Sequence, residues 1–571
     1  MTRQDYKHLG LSPQCGICAD MIFRHERVIA IFGNDDSTSF GGSTRPFPFP
    51  QLGYSITKVD GFHLCRHPTC GHCASSPEFV PIHHDCYSIF IRDSRIDEAD
   101  AVRWLWLRSA WRKPWRGAQP LFLAVRRPDS STVQRMADIV GLPELSRLPN
   151  ELFEIIRGFS PHSIFWKSLL AIQLASYATR MLTESLSTVL LSEVLSWERH
   201  GVLKCTSSLS RSPIIRLTID FEGINKVERL PVAPAYSGKY SNYNRTIIEH
   251  ESLLNRVQAQ VKGGLLRLKM PQPRQSLPIW NTPSPPKLQS CNAYISRFPA
   301  WQHFHAIDTD RIDGITFFFS GGQLFGTHIH TSKESSAITT FERFSKRRQR
   351  SLVWIYFPIA ESDQLIVLGI RQGPHSELNI LVRTRQVGDV IIGKRIAGQV
   401  TDRCLCRSAP VTIVYGEPEG GLPVQLFGAY SRTSPQLALP SPFPLKNTSP
   451  DPLGKDSYFS WASLDNIAST LTFHDGDGFC RGIMFQYQDG GCRAVGQCRL
   501  HVDSAVKEIY PAAILFSIKS IASRWDRKIY TVQVEFRHCL QPQIKDGWEC
   551  MQLKGSIKFW FTDKSSYLVI E

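Results

Sequence analysis

Closely spaced cysteine and histidine residues near the amino terminus constrain the fold of this chain more than any other feature. The pattern is Cys15-x2-Cys18, then Cys65-x4-Cys70-x2-Cys73, and finally His83-x2-Cys86. A two-residue spacer lets two side chains on one tight turn reach the same ion, and structural zinc takes four thiolate or imidazole ligands in a tetrahedron. The spacing therefore predicts a zinc-stabilised module over residues 1–90.

We divide these residues between two zinc ions. The first ion is predicted to be held by Cys15, Cys18, His83 and Cys86. The second is predicted to take Cys65, Cys70 and Cys73, with His67 or His72 as the fourth ligand. The long gap before Cys65 leaves the partition of the ligands open. Because each set can supply all four ligands of its ion and leaves no open position, the predicted role of the metal is structural. The alternative is a group of unliganded thiols buried as small apolar side chains.

Length and charge set broad limits on the class of protein. The 571 residues are enough for about three or four domains, and the 42% of apolar residues suffices for well-formed cores. Lys and Arg number 66 against 51 Asp and Glu, but this excess is spread thinly along the chain. We therefore expect a protein as partner and do not expect a nucleic acid.

The amino terminus and the hydropathy indicate where the protein resides. The first residues are polar, and no apolar signal core follows them. No run of eighteen apolar residues occurs, which predicts no membrane-spanning helix and no membrane partner. Outside the secretory pathway the fifteen cysteines are expected as thiols or metal ligands. We expect a cytoplasmic or nuclear protein.

A segment rich in tryptophan and arginine follows the cysteine module. Residues 92–127 contain four tryptophans and eight arginines, a mixture that can stack on bases or on sugar rings. The alternative is a helix that buries its tryptophans and extends its arginines to solvent. Trp104, Leu107 and Trp111 have the spacing of one helical face, which favours the helix.

Residues 91–202 are predicted to be helical. Pro149 suits the first turn of a helix. An apolar face then follows at helical spacing, formed by Leu152, Ile155, Ile156 and Phe159. A longer helix is predicted over residues 163–198.

The segment Leu148-Pro149-x-Glu151-Leu152, followed by an isoleucine-containing helix, resembles the opening of an F-box. In that family the segment docks on the Skp-type adaptor of a cullin ubiquitin ligase. The resemblance implies that Leu148, Pro149, Glu151 and Leu152 form a protein-docking site. The alternative is an ordinary helix that starts at a proline. The order of cysteine module, Leu-Pro-x-Glu-Leu helix and β-rich tail is similar to that of uncharacterised fungal proteins labelled F-box-like, which implies a fungal source.

The carboxy-terminal half consists of short alternating runs separated by turn residues. We predict β-rich domains at 203–437 and 455–571, joined by a proline-rich linker at 438–454. Segments 313–322 and 481–490 share a Gly-Ile-x-Phe-x-aromatic strand and a glycine turn. This repetition predicts duplicated antiparallel hairpins, as in a sandwich, a prism or a small propeller. The strand pattern resembles that of jacalin-type lectins, which implies carbohydrate binding.

Two histidines and a glutamate in the β-rich half offer a further metal site. His328, His330 and Glu334 follow Gly322 at a spacing that resembles the first metal-binding motif of cupins. That family binds iron or manganese inside a β-barrel, so the resemblance implies a metalloenzyme. The glycine that cupins place after this glutamate is missing. The alternative is a pair of histidines between strands, with no metal.

These patterns together predict an α+β multidomain protein with a small zinc-stabilised module, a helical middle and an antiparallel β-rich half. We expect a non-enzymatic adaptor whose helices dock one protein while the β-rich surface holds another ligand. A carbohydrate- or acidic-ligand-binding protein and a cupin-like metalloenzyme are the alternatives. Neither a serine-nucleophile elbow nor a dinucleotide-binding glycine loop is present in the sequence.

Overall fold

A computed structural model of the chain shows a β-rich protein with two compact units. The first unit comprises Met1–Pro285 with Ala300–His303, and the second comprises Pro286–Pro299 with Phe304–Glu571. The described residues are 7–34, 36–67, 70–125, 128–160, 163–178, 185–205, 212–272, 275–295, 303–331, 336–396, 398–407, 409–418, 421–430, 443, 451–522, 528–539 and 546–571.

Strands and helices alternate in the first unit. Its strands are β1 (His8–Gly10), β2 (Arg27–Gly33), β3 (Phe40–Ser43), β4 (Phe47–Pro48), β5 (Tyr54–Val59), β6 (Phe62–Cys65), β7 (Phe79–His83), β8 (Ser187–Leu190), β9 (Val194–Glu198), β10 (Lys204–Cys205), β11 (Ile214–Asp220), β12 (Gly223–Leu230), β13 (Arg245–His250), β14 (Gln258–Lys262), β15 (Leu265–Lys269) and β16 (Ile279–Trp280). Its helices are α1 (Gly71–Ser75), α2 (His84–Asp93), α3 (Glu98–Ala110), α4 (Ser130–Val140), α5 (Asn150–Phe159) and α6 (Ile164–Ser176). No described helix is both long enough and apolar enough to cross a membrane.

The strands of the first unit belong to four groups. Near the amino terminus, β1 pairs with β6 in parallel and β5 completes that sheet, while β2 pairs with β3, β4 and β7. Further along the chain, β10-β9-β12-β11-β13-β16 lie side by side, and β15-β14-β8 form a separate sheet. The predicted strands at 215–219 and 265–269 are confirmed, because they lie within β11 and β15.

Helix α3 confirms the prediction of buried tryptophans. Asp97 caps the helix by accepting a hydrogen bond from the Asp100 amide at 3.0 Å. Trp104, Leu107 and Trp111 are all buried in the core of the cysteine module. Aromatic burial on this scale stabilises the module strongly, since each such side chain removes a large apolar area from water.

A buried ion pair connects the cysteine module to a later sheet of the same unit. Arg267 on β15 donates two hydrogen bonds to the Glu78 carboxylate, at 2.8 and 2.6 Å, and both side chains are almost completely buried. Arg116 also donates to the carbonyl of Ser76 at 2.6 Å. The bidentate geometry compensates the cost of removing both charges from water and fixes the register between the two segments.

The helical middle differs from the prediction in its extent. Helix α4 starts at the Asp129 cap and stops at Gly141, which is left-handed with φ 68°. The single helix predicted over 163–198 is wrong, because α6 ends at Ser176 and the chain then forms β8 and β9. Strand β8 pairs with β14, so sheet pairing overrides the helical spacing of the leucines there.

The second unit is built almost entirely from antiparallel strands. They are β17 (Cys291–Ile295), β18 (His303–Asp308), β19 (Gly314–Ser320), β20 (Gln323–His330), β21 (Val353–Pro358), β22 (Leu365–Gln372), β23 (Leu378–Thr384), β24 (Gly388–Ile392), β25 (Thr401–Cys406), β26 (Thr412–Gly416), β27 (Leu426–Tyr430), β28 (Tyr458–Ser463), β29 (Ile467–His474), β30 (Cys480–Tyr487), β31 (Cys492–Gly496), β32 (Ser504–Ile509), β33 (Ala513–Ala522), β34 (Lys528–Arg537), β35 (Glu549–Gln552), β36 (Ser556–Phe561) and β37 (Ser566–Ile570). Two short helices, α7 (Ile338–Glu342) and α8 (Lys346–Gln349), separate β20 from β21.

These strands form two copies of one topology. In the first copy the sheets are β18-β26-β27-β17, β20-β19-β21 and β24-β23-β22-β25. In the second copy they are β28-β36-β37, β31-β30-β29-β32 and β34-β33-β35. In each copy the first strand pairs with a strand from the end of the same copy. The predicted hairpins at 313–322 and 481–490 are confirmed as the antiparallel pairs β19–β20 and β30–β31. Their places differ, because β19 pairs with β20 and β21, whereas in the second copy β29 pairs with β30 and β32 and β31 is an edge strand.

The three sheets of each copy contact one another. In the second copy, the Gly496 amide donates to Ser460 at 2.9 Å, the rings of Phe485 and Phe536 lie 6.1 Å apart, and those of Tyr530 and Tyr567 lie 5.5 Å apart. Each of these contacts joins a different pair of sheets. Among the arrangements that the repetition predicted, a prism has this closed set of three sheets, and one apolar core runs through both copies.

The predicted segments can be placed within the two units. Segments 1–90 and 91–202 both lie in the first unit, segment 203–437 contributes to both units, and segment 455–571 lies in the second. Of the proline-rich linker predicted at 438–454, only 443 and 451–454 are among the described residues.

Candidate metal centres

The structure brings Cys15, Cys18, His83 and Cys86 together in one group, which we call the first cluster. Their ligand atoms all lie within 4.8 Å of one another, and all four residues are buried. Three elements supply them: the turn after β1, the last residue of β7, and the first turn of α2. The four ligands predicted for the first ion are therefore neighbours in space and could hold a metal ion.

The turn that carries Cys15 and Cys18 has its own local support. The Ile17 amide points at the Cys15 sulfur with a nitrogen–sulfur distance of 3.5 Å, and the Ala19 amide donates to the Cys15 carbonyl at 3.0 Å. Gly16 is required by close packing, because a Cβ there would lie 2.5 Å from a methyl carbon of Val80. The turn thus presents both thiols to one point.

The two ring nitrogens of His83 face different partners. Nδ1 lies 3.5 Å from the Cys18 sulfur and 3.8 Å from the Cys86 sulfur. Nε2 lies 3.4 Å from a carboxylate oxygen of Glu26 and 3.5 Å from the Lys167 ammonium. A carboxylate on the distal nitrogen is the usual way in which proteins orient a metal-binding histidine. Nδ1 is therefore the atom placed to bind a metal.

Contacts within the first cluster shift the pKa values of its ligands and of Glu26. Burial acts to raise the pKa of Cys15, but hydrogen bonds from neighbouring thiols and the charge of His83 hold it well below its ordinary value. Burial acts to lower the pKa of His83, but the Cys15 thiolate raises it to about 12. Burial acts to raise the pKa of Glu26, and the hydrogen bond with His83 lowers it to about 2. Binding a divalent metal would displace the protons that the ligands hold.

A second group, the second cluster, comprises His8, Cys65, Cys70 and Cys73. Their ligand atoms also lie within 4.8 Å of one another, with two members buried and two half-buried. Parallel pairing puts β1, which carries His8, next to β6, which ends at Cys65, with His8 in register with His63 and Gly10 in register with Cys65. Cys70 is the residue at the N-cap position of helix α1, and its sulfur lies 3.2 Å from Nδ1 of His8. This group could hold a second metal ion.

The fourth member of the second cluster differs from the prediction. The expected ligand was His67 or His72, whereas His8 completes the group. His72 lies on α1 with its ring 5.0 Å from that of His8. The backbone nitrogen of His67 lies 3.5 Å from the Cys65 sulfur and donates to it. The spacing of the cysteines did not indicate His8, because His8 lies on β1, far from them in the sequence.

The thiols of the second cluster are electrostatically coupled. A hydrogen bond from Cys73 lowers the pKa of Cys65 to about 5. The same hydrogen bond raises the pKa of Cys73, since its proton is held by the Cys65 thiolate. One thiolate is therefore already present at neutral pH, and a thiolate is the form of cysteine that binds metals.

In the β-rich half, the histidines of the alternative metal site contact threonine hydroxyl groups. His328 and His330 are buried side by side on β20, and their nitrogens contact Thr340 at 2.9 Å and Thr316 at 2.7 Å. Burial lowers the pKa of His328 to about 3. Glu334 lies outside the described residues. Within the described part of the chain, neither histidine belongs to a group of three or more metal-binding side chains.

The F-box-like residues lie at the start of α5. Leu148 is half-buried, Pro149 directly precedes the helix, and Leu152 is exposed. Glu151 belongs to the same helix, but its side chain lies outside the described part of the structure. Three residues of the predicted apolar face, Leu152, Ile155 and Ile156, are exposed, and the side chain of the fourth, Phe159, lies outside the described part of the structure.

Phe153 is the residue that attaches α5 to the rest of the unit. It is fully buried and packs edge-on against Trp166 of α6 with ring centroids 5.0 Å apart. Val133 and Met136 of α4 belong to the same small core. The helix therefore turns one aromatic residue inward and its run of aliphatic residues outward.

Comparison with known proteins adds no further assignment. No protein-family model matches the chain, and no curated protein matches it. The assignment of the two clusters therefore rests on their geometry and chemistry.

Proposed function

We propose that this chain is a non-enzymatic adaptor whose helices α4 and α5 dock a Skp-type protein, with the first and second clusters each holding a structural zinc ion. The observation that carries the proposal is a concentration of exposed aliphatic side chains around the F-box-like segment. Seven of them, each between 39% and 58% exposed, lie between residues 139 and 164: Ile139, Val140, Leu142, Leu152, Ile155, Ile156 and Ile164. We call them the docking face.

Exposed aliphatic residues in this number favour a partner. Soluble proteins expose single apolar side chains widely, but a dense group of them marks an interaction surface. A helical face with apolar residues at i, i+3 and i+4 is also the pattern by which helices dock on apolar grooves of other proteins. Leu152, Ile155 and Ile156 have this spacing.

Zinc is supported as the metal by the donor set of each cluster. Three thiolates and one imidazole in a compact group suit a tetrahedral ion of the zinc type, and all four positions come from the protein. A closed set of four protein ligands leaves no position for a substrate, which supports a folding role.

The first cluster also supports the position of the docking face. Lys167 of α6 donates to Glu26 at 3.1 Å and lies 3.5 Å from His83. Helix α6 in turn packs on Phe153 of α5. Metal binding would therefore stabilise the helices that present the docking face.

A binding experiment with a matched control tests the docking proposal. The zinc-loaded full chain is titrated with a purified Skp-type adaptor by calorimetry. Leu152→Asp should weaken binding by about tenfold or more, since it buries a charge in an apolar contact. Val202→Asp, at a residue 83% exposed elsewhere in the same unit, should bind like the wild type. Absence of binding by the wild type, or equal binding by Leu152→Asp, would overturn the proposal.

A second candidate function is carbohydrate binding by the second unit. The strand pattern that resembles jacalin-type lectins favours it, together with the arrangement of the second unit as two copies of three antiparallel sheets. A glycan array probed with the labelled full chain tests this function directly. Specific retention on a sugar, competed by the free sugar, would support it, whereas an array with no retained protein would exclude it for the glycans tested.

A further inference from the structure

A cavity in the first unit lies outside both clusters and the docking face. Its volume is about 490 Å³, which is the size of a site for a small organic molecule. Helix α3 supplies Trp104 and Arg108, and the segment after β11 supplies Phe221 and Glu222. Apolar and charged side chains thus meet in one concave space.

Arg108 is the cation in this cavity with the weakest protein contacts. Its guanidinium stacks 5.2 Å from the centroid of the Trp104 ring. Among the described residues its one charged partner is Glu222, with 3.9 Å between the nearest nitrogen and oxygen, which is too long for a hydrogen bond. The guanidinium has five N–H donors in a planar fork that matches a carboxylate or a phosphate. These donors remain for a ligand.

The other charges of the cavity are already paired. Arg199, whose side chain is only 10% exposed, makes two hydrogen bonds to Asp220 at 3.0 and 2.5 Å and one to Glu222 at 3.1 Å. Arg112 donates to the carbonyls of Cys15 and Ile17 at 3.3 and 3.1 Å. Three arginines therefore face two carboxylates, and the lining carries a net positive charge.

His200 reports the positive potential of the same cavity. Burial lowers the pKa of His200, and the charges of Arg108 and Arg199 lower it further. Burial disfavours a charge of either sign, but the contribution of the two arginines indicates a positive potential, which favours an anion.

Aromatic side chains line the cavity beside these charges. Tyr177 and Tyr243 are both exposed, and Phe221 carries the Arg112 guanidinium 4.5 Å from its ring centroid. A flat apolar ligand body could pack beside these rings. The cavity thus pairs aromatic surface with one available guanidinium.

We propose that this cavity binds a small aromatic anion, whose carboxylate or phosphate pairs with Arg108 and whose ring packs beside Phe221 and Tyr243. This site is independent of the docking function. It does share a wall with the first cluster, since Ile17 lines the cavity and Arg112 holds the turn between the two cysteines. Binding to the cavity is therefore best measured on the zinc-loaded protein.

Two pairs of probes test the proposal by calorimetry on the zinc-loaded full chain. Adenosine monophosphate is compared with adenosine, and indole-3-acetate with indole-3-acetamide. We expect one anion of the two pairs to bind, and its neutral counterpart to bind about tenfold or more weakly. The pair that responds distinguishes a phosphate from a carboxylate ligand.

Variants on one helix then locate the binding. Arg108→Gln should weaken the anion about tenfold or more, whereas Arg103→Gln should change it by less than about twofold. Arg103 lies on the same helix, is 63% exposed and, among the described residues, pairs with Asp100 at 3.3 Å. Metal content and unfolding temperature show that both variants fold. If Arg108→Gln does not fold, Tyr243→Ala replaces it and should weaken binding severalfold.

Three results would overturn the proposal. The first is that neither anion binds at millimolar concentration. The second is that anions and their neutral counterparts bind equally. The third is that Arg108→Gln, or Tyr243→Ala in its place, binds like Arg103→Gln.

Discussion

Nε2 of His83 lies 3.4 Å from a carboxylate oxygen of Glu26, while Nδ1 of the same ring faces the thiols of the first cluster. Lys167 of α6 contacts both residues, at 3.1 Å from Glu26 and 3.5 Å from His83. One carboxylate thus orients the candidate metal ligand His83 and also pairs with α6, which packs on the helix of the proposed docking face. The structure and the proposed function of the first unit depend on this small network.

Replacement of Glu26 should weaken metal binding without removing a ligand. Glu26→Gln leaves the side-chain volume nearly unchanged but removes the charge that orients His83, so the metal affinity of the first cluster should fall about 10- to 100-fold. Competition with a chromophoric zinc chelator measures this. Asp85→Asn is the matched control, since Asp85 is exposed and its ion pair within the described part of the chain is with the adjacent His84. Equal affinities of the two variants would contradict the role given to Glu26.

The second cluster should lose its metal when His8 is replaced. His8→Ala removes one of four ligands, so the bound zinc should fall from about two ions per chain to about one. His67→Ala and His72→Ala should retain both ions, because neither residue belongs to the cluster. Elemental analysis of the three purified variants decides between them. Retention of two ions by His8→Ala would show that another residue completes the site.

Substitutions at two neighbouring residues on α5 should differ in their effect on stability. Phe153→Ala should lower the free energy of unfolding by about 3–5 kcal/mol, because it leaves a cavity beside Trp166. Leu152→Asp should change it by less than about 0.5 kcal/mol, since Leu152 is exposed. Chemical denaturation followed by tryptophan fluorescence compares them. A large loss of stability in Leu152→Asp would mean that the docking face is covered within the protein.

Removal of metal should also weaken docking. Chelation removes the metal that holds His83 in place. The contact between His83 and Lys167 of α6 then loses its fixed partner, and the docking face loses support. We expect the chelated chain to bind a Skp-type adaptor about tenfold or more weakly, and readdition of zinc to restore binding. Unchanged binding by chain shown to be metal-free would separate the clusters from the docking function.

Glu249 should make stability depend on pH. Burial raises the pKa of this carboxyl, on β13, to about 7. The folded chain therefore keeps a proton that the unfolded chain releases, and stability falls as the pH rises from about 4.5 to about 7. Glu249→Gln should remove this dependence and stabilise the protein by about 1–2 kcal/mol at pH 8, allowing for partial exposure of the side chain.

Unfolding curves at pH 5 and pH 8 measure the effect. Glu228→Gln on β12, which lies two strands from β13 in the same sheet, is the control, because it removes an ion pair with Arg216 at 2.7 Å and should not stabilise the protein at either pH. If Glu249→Gln and the wild type lose stability equally between the two pH values, Glu249 is not the titrating group.

The sequence by itself determined the parts of this protein that depend on local spacing. The two-residue spacers identified Cys15, Cys18, His83 and Cys86 as candidate metal ligands, because two side chains on one tight turn can reach the same ion. The helical spacing of the tryptophans on α3 and the repeated glycine-bounded hairpins followed from local periodicity in the same way.

Only the tertiary structure decided which distant residues meet. His8 joins the second cluster through parallel pairing of β1 with β6, and no local pattern encodes that register. The apolar stripe of α5 faces outward because Phe153 occupies the core instead, although periodicity alone predicted the reverse. The cavity beside Arg108 likewise exists because segments far apart in the chain converge. Spacing reveals what a segment can do locally, whereas burial and pairing depend on the partners that folding brings to it.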